Sequence, residues 1–220
     1  MCGRFAITLP DDAMVQLFDA VPSNDLPEGP RYNVCPTNSI HVVTAEEGRR
    51  LRPMRWGFLP HWYKTTNGGP LLINARAETI AEKPAFRAAC RARRCLIPAT
   101  GFYEWTKDGE GNRLPWYIFR HDGAPLVFAG VWQDWERDGD AHTTCAIVTC
   151  AANAPMAQIH HRMPVILEPS SWAKWLGEKG KGAAPLMVPS ADDVLRFYRV
   201  DRAVNSNRAQ GPQLLDPLDP

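Results

Sequence analysis

The run Arg94-Cys95-Leu96-Ile97-Pro98-Ala99-Thr100-Gly101-Phe102-Tyr103-Glu104-Trp105 decides how the rest of the chain is read. Cys95 to Ala99 is a short, continuous apolar run, the mark of a buried strand. Phe102 to Trp105 follows it as the next strand segment. Outward from this pair, similar runs recur at Gly3 to Ile7, Leu71 to Arg76, Trp116 to Arg120, Val127 to Trp132, Thr143 to Thr149 and Val165 to Leu167. Ile40 to Thr44 and Leu51 to Trp56 form a hairpin turning at Glu46-Glu47-Gly48. Predicted helices are short. One opens at Pro10 and runs through Phe18, with Asp11 or Asp12 as its cap. Others lie within Ala77 to Ala92, broken at Pro84, and at Asn153 to Ile159, Pro169 to Leu176 and Ala191 to Leu195. Val21 to Pro36 reads mostly as loop. Gly57 to Pro70 is a loop carrying Phe58, Trp62 and Tyr63. Short strands interleaved with helices and hairpins predict one α+β domain around antiparallel sheets. That domain covers residues 1–204, and the Pro-, Gln- and Asn-rich residues 205–220 are expected to form a loosely ordered tail.

A length of 220 residues, 45% of them hydrophobic and 22% charged, suits a soluble globular protein of one domain or at most two small ones. There is no apolar run of about 18 residues to cross a membrane. There is no basic-then-apolar leader either, so the cytoplasm is the expected location. The net charge of +1 excludes a bulk polycation. Residues 1–100 nevertheless hold 13 Lys and Arg against 9 Asp and Glu, and residues 101–220 hold 12 against 15. The basic excess of the first half is mostly arginine, which suits local phosphate contacts. Cys2, Cys35, Cys90, Cys95, Cys145 and Cys150 are expected to be free thiols. Cys145 and Cys150 share a strand at an odd offset and so face opposite ways, which argues against a zinc site. No metal or cofactor is expected. The lack of an obvious assembly helix predicts a monomer.

Cys2 follows Met1 directly. A small second residue favours removal of the initiator methionine. The chain would then begin with an α-amine and a thiol on adjacent carbons, titrating near about 7.7–8.0 and about 8.5. Such a 1,2-aminothiol can attack an ester or amide through sulfur. It can also condense with an aldehyde through nitrogen, after which sulfur closes a thiazolidine ring. Three other residues place polar groups in apolar stretches. Asn74 follows Leu71-Leu72-Ile73, Glu104 lies among Phe102, Tyr103 and Trp105, and His160 precedes His161-Arg162-Met163-Pro164-Val165. A glutamate among aromatics has a raised pKa and suits general acid–base work.

Six ordered blocks resemble the SOS-response-associated peptidase (SRAP) family: Met1-Cys2-Gly3-Arg4-Phe5, Tyr32-Asn33-Val34-Cys35-Pro36-Thr37, Met54-Arg55-Trp56-Gly57-Phe58-Leu59-Pro60, Asn74-Ala75-Arg76-Ala77-Glu78-Thr79, Arg94 to Trp105, and His160 to Leu167. The resemblance implies a single α+β domain of mainly antiparallel strands in a barrel-like arrangement with surrounding short helices. It implies a partner, single-stranded DNA containing abasic sites, and a covalent crosslink to the abasic aldehyde in the DNA damage response. By position, it implies Cys2 as nucleophile and Asn74, Glu104 and His160 completing the catalytic site. Arg4, Arg76 and Arg162, with Thr149, match positions that hold phosphates, and Pro36 and Trp62 fall in base-contacting loops. His161 stands where the family often has an acidic or polar residue, and Cys150 where another threonine is common. Three alternatives remain on the sequence: an N-terminal-nucleophile hydrolase of amidotransferase type, a peptidase whose substrate includes its own terminus, and a reversible single-strand binder.

Overall fold

In a computed structural model, which describes residues 2–180 and 182–218, the apolar runs become strands of two sheets. In chain order these are β1 (Arg4–Ile7), β2 (Val21–Pro22), β3 (Arg31–Val34), β4 (Ser39–Ala45), β5 (Arg49–Trp56), β6 (Asn74–Arg76), β7 (Arg94–Ala99), β8 (Gly101–Lys107), β9 (Arg113–Arg120), β10 (Leu126–Arg137), β11 (Asp140–Ala151), β12 (Arg162–Pro164) and β13 (Leu195–Arg199). The helices are α1 (Asp11–Phe18), α2 (Pro84–Ala92), α3 (Ala154–Ala157) and α4 (Pro169–Leu176).

β11, β10, β7, β4 and β5 pair in succession, all antiparallel. β5 then returns to β11 in a parallel pairing, Arg55 opposite Thr144 and Trp56 opposite Cys145. The result is a closed five-stranded mixed barrel, with β2, β6 and β12 attached at its margins. The second sheet, β13-β9-β8-β1-β3, is antiparallel throughout. Its inner aromatic residues dock it on the barrel: Phe5 and Phe102 each meet Phe128 of β10 edge-on, with centroids at 6.1 and 5.9 Å, and Phe5 also meets Trp56 at 5.2 Å. Burial of each such ring contributes about 1.5–3 kcal/mol. The expected α+β domain with a barrel of strands and short surrounding helices is therefore the observed one.

The deciding run splits between the sheets. β7 belongs to the barrel and β8 to the second sheet, with only Thr100 between them. Gly101 makes the crossing possible. A Cβ there would lie 2.4 Å from Tyr117 Cζ and 2.6 Å from the carbonyl oxygen of Ile118.

Several local expectations are corrected. The stretch Val21 to Pro36 contains a real strand, β3, because β1 has a free edge that Val34 and Arg31 complete. Ala191 to Leu195 is not helical: Leu195 starts β13, whose alternating Arg196-Phe197-Tyr198-Arg199 pairs with the open edge of β9. Leu71 to Arg76 forms a ladder only from Asn74, and Val165 to Leu167 keeps a single bridge, Ile166 to Phe128. α1 is capped by the Pro10 backbone rather than by an aspartate side chain; Asp11 instead meets His41 Nε2 at 3.0 Å.

Beyond residue 204, the Asn33 side-chain amide donates to the carbonyls of Ser206 and Ala209, at 3.0 Å each. Leu214 packs with Tyr103, Tyr117 and Val200, and Tyr198 Oη donates to the Leu215 carbonyl at 2.6 Å. The last part of the expected tail, residues 219–220, lies outside the described residues.

Gly101→Ala is expected to destabilise the protein by about 1–3 kcal/mol, since neither Tyr117 nor the β9 backbone can retreat cheaply. Urea denaturation of the two proteins measures this; a loss below about 0.5 kcal/mol would show that the crossing tolerates a side chain.

Candidate active site

The antiparallel register of β1 on β8, with Arg4 opposite Tyr103, carries the residues preceding β1 toward Glu104 and Trp105. β6 lies parallel to β11, with Asn74 opposite Ile147. Asn74 Nδ2 reaches from there to donate to the Cys2 carbonyl at 2.9 Å. Two chain segments 72 residues apart thus meet at Cys2, which is wholly buried. The Asn74 Oδ1 atom is also buried and has no hydrogen-bond partner among the described residues.

Glu104 is only 3% exposed. Burial raises its pKa above the usual carboxylate value, with the Trp105 backbone N–H and the Arg113 guanidinium among the opposing influences. Burial also pushes the Cys2 thiol far up, and the charge of Glu104 pushes it further. The thiol is therefore neutral in this setting. His160 follows α3, the helix capped by the Asn153 side chain through the Met156 N–H at 3.1 Å. His160 Nδ1 lies 3.0 Å from the Arg162 backbone nitrogen and 3.2 Å from the Arg162 carbonyl oxygen, so the backbone of Arg162 fixes the orientation of the ring. Burial lowers the His160 pKa, which favours the neutral form. His161 stacks on His160 with centroids 4.4 Å apart.

Gly3, Arg4, Pro36, Glu104, Trp105, Arg113 and His160 surround one open cleft of about 450 Å3. Four of the expected residues therefore share a surface, Cys2 adjoins it through Gly3, and Asn74 touches Cys2. The remaining candidates sit differently. Arg162 is 9% exposed and forms a two-pronged ion pair with Glu78 (2.7 and 2.9 Å), while also donating to the Thr149 carbonyl at 2.8 Å and to Thr149 Oγ1 at 3.3 Å. Thr149 is fully buried beneath it. Arg4 donates to Asn33 Oδ1 at 3.0 Å and to the Val204 carbonyl at 2.9 Å. Arg76 is exposed on β6, and its charge is felt by Glu78. Trp62 is 45% exposed in the loop after β5, edge-on to His61.

The sequence reading did not single out Glu78, Asn33 or Arg113. Glu78 was visible as an acid two residues after Arg76, but its partner is 84 positions away. Arg113 opens β9 behind a hairpin tip and carries no local signal. Among the described residues, no helix is long and apolar enough to cross a membrane.

Residues 1–207 match the model of the SOS response associated peptidase (SRAP) family. Similar proteins include abasic site processing protein YoaM of Bacillus subtilis, 38% identical over 98% of both chains. Abasic site processing protein YedK of Escherichia coli is 32% identical over 99% of this chain and 100% of its own. Abasic site processing protein HMCES of Rattus norvegicus is 30% identical over 100% of this chain and 76% of its own. Among solved structures, a Bacteroides thetaiotaomicron protein superposes with a TM-score of 0.87 at 25% identity, covering 98% of this chain and 99% of that one.

The Arg162–Glu78 pair carries a pH signature. Hydrogen bonding to Arg162 lowers the Glu78 pKa in the folded state. Its contribution is thus full above the unfolded value of about 4.3 and is lost as pH falls through the lower folded value. Half of the Glu78 side chain faces solvent, so screening limits this contribution to about 1 kcal/mol or less. Wild type is expected to lose more stability between pH 5 and pH 3 than Glu78→Gln does; parallel pH curves in urea melts would dismiss the pair as a stabilising element.

Proposed function

Since the chain belongs to the SOS response associated peptidase (SRAP) family, we propose that it processes abasic sites by crosslinking itself to them through Cys2 in single-stranded DNA. One observation carries this reading: Asn74 Oδ1, a buried acceptor without a hydrogen-bond partner among the described residues, beside Cys2. A buried polar atom left unpaired costs about 1–3 kcal/mol. The α-amine of Cys2, liberated by removal of Met1, is a donor suited to it. Met1 itself lies outside the described residues.

The chemistry follows from the groups around that amine. An abasic sugar exchanges between a closed hemiacetal and an open aldehyde. As the C1′–O4′ bond breaks, Glu104 takes the proton of the C1′ hydroxyl and His160, near the ring oxygen, relays a proton to that oxygen, so the open aldehyde forms with no net change in protons. The amine nitrogen adds to C1′, Glu104 moves two protons in turn from nitrogen to the former aldehyde oxygen, and the C–O bond breaks to release water and leave an imine. The neutral thiol then adds across the C=N bond. Sulfur bonds to C1′, its proton ends on nitrogen, and a thiazolidine closes. Ring closure is intramolecular and is favoured by proximity. Arg4, Arg76 and Arg162 are proposed to line the phosphate path, Thr149 holding Arg162 from beneath, with Pro36 and Trp62 toward the bases. An exposed indole stacking on an unpaired base contributes about 1–3 kcal/mol.

A cysteine hydrolase of N-terminal-nucleophile type uses the terminal amine as base to generate a thiolate during attack, and burial together with the charge of Glu104 opposes a thiolate at Cys2. The amine-first route does not need one. Protein lacking Met1, verified by intact mass, is incubated with an oligonucleotide bearing one abasic site. An adduct that survives denaturation is expected for wild type and not for Cys2→Ala. Its absence in wild type would refute the proposal, and release of ammonia from glutamine would favour the hydrolase. Glu104→Ala and His160→Ala are expected to slow adduct formation by about 10²–10⁴-fold, with a much smaller change in DNA affinity. The reverse ordering, measured by single-turnover trapping against equilibrium binding, would mean that these two residues bind rather than react.

A further inference from the structure

The cleft has a second basic element that no sequence block covers. Arg113 starts β9 opposite Lys107, and its guanidinium lies over the Trp105 ring, 4.4 Å from the centroid. Trp105 is itself fixed, because its indole N–H donates to Asn205 Oδ1 at 2.6 Å. The same Asn205 donates through Nδ2 to the Arg113 carbonyl at 3.3 Å. One asparagine therefore holds both the ring and the strand that carries the cation. Stacking on an aromatic face orients a guanidinium while leaving its N–H fork pointing outward.

The other arginines near the cleft are engaged. Arg4 is directed at Asn33 and the Val204 carbonyl, and Arg162 at Glu78 and Thr149. Among the described residues, the Arg113 side chain makes no hydrogen bond and no close ion pair; beyond its stack on Trp105, its charge acts on the Glu104 carboxyl. It lines the same cleft as Glu104 and His160.

We propose that Arg113 is a phosphate-binding residue of this cleft, preset on Trp105 to grip the backbone of a single strand passing Glu104. This rests on the crosslinking reading and adds to it a contact outside the carried-over set. The ligand chemistry is a phosphodiester anion, recognised by charge-assisted hydrogen bonds from a planar fork.

The test measures equilibrium binding of a lesion-free single-stranded oligonucleotide over a range of salt. Lesion-free DNA separates the contact from the covalent step. Arg113→Ala is expected to bind roughly five- to tenfold more weakly, and to reduce the slope of log K against log salt by about 0.7. Arg113→Lys should restore most of the slope, since the charge returns without the stacked fork. Arg76→Ala, an exposed arginine on β6, serves as the comparison. If wild type binds and Arg113→Ala leaves both slope and affinity unchanged, Arg113 is not a contact and only this inference falls. If wild type does not bind single-stranded DNA at all, the inference and the reading beneath it fall together.

Discussion

The parallel pairing of β5 with β11 is the constraint on which the rest is arranged. Antiparallel neighbours can be joined by hairpins, and most of this chain is. Bringing Arg55 and Trp56 alongside Thr144 and Cys145 instead closes the sheet upon itself. Gly57, at φ 146°, then donates its N–H to the Cys145 carbonyl, and the Trp56 indole donates to the Ile73 carbonyl at 3.0 Å. Those bonds deliver the next segment to the other part of β11, where Asn74 takes its place opposite Ile147. Without closure there would be no fixed relation between Asn74 and Cys2.

The same geometry explains the electrostatic character of the site. Glu104 lies on a strand with aromatic residues on either side and is only 3% exposed at the wall of its cleft, while Phe102 two residues earlier packs on the barrel. A carboxyl held there has an elevated pKa, and a thiol next to it stays protonated. Both shifts have burial as their leading cause. They favour chemistry in which protons are handed between neighbours over chemistry that requires a standing thiolate.

Legibility in the sequence tracked the range of the interactions. The hairpin at Glu46-Glu47-Gly48, the helix at Asp11–Phe18 and the buried run at Cys95 to Ala99 are local patterns, and they form as read. Glu104 stood out because a charge among aromatics is conspicuous without any structure. β3 and β13 were missed because each exists only where another strand's edge is open to it. The fate of Arg4 and Arg162 was equally hidden. Nothing near Arg162 announces Glu78, and nothing near Arg4 announces Asn33 or Val204. An arginine in a recognisable block reveals its charge, but only the fold reveals which acceptors already hold it.

The grip of the final residues on Arg4 and Trp105 has a consequence in time. The Arg4 contact with Val204 joins positions 200 residues apart, and the Trp105 contact with Asn205 joins positions 100 apart. A chain made from its amino end cannot form either bond until residues 204 and 205 have been synthesised. The barrel strands through β11 can pair before that, but the rim beside Cys2 cannot be assembled. Until then the rim beside Cys2 lacks its final packing, and this corner of the molecule is completed only when residues 204 and 205 settle across it.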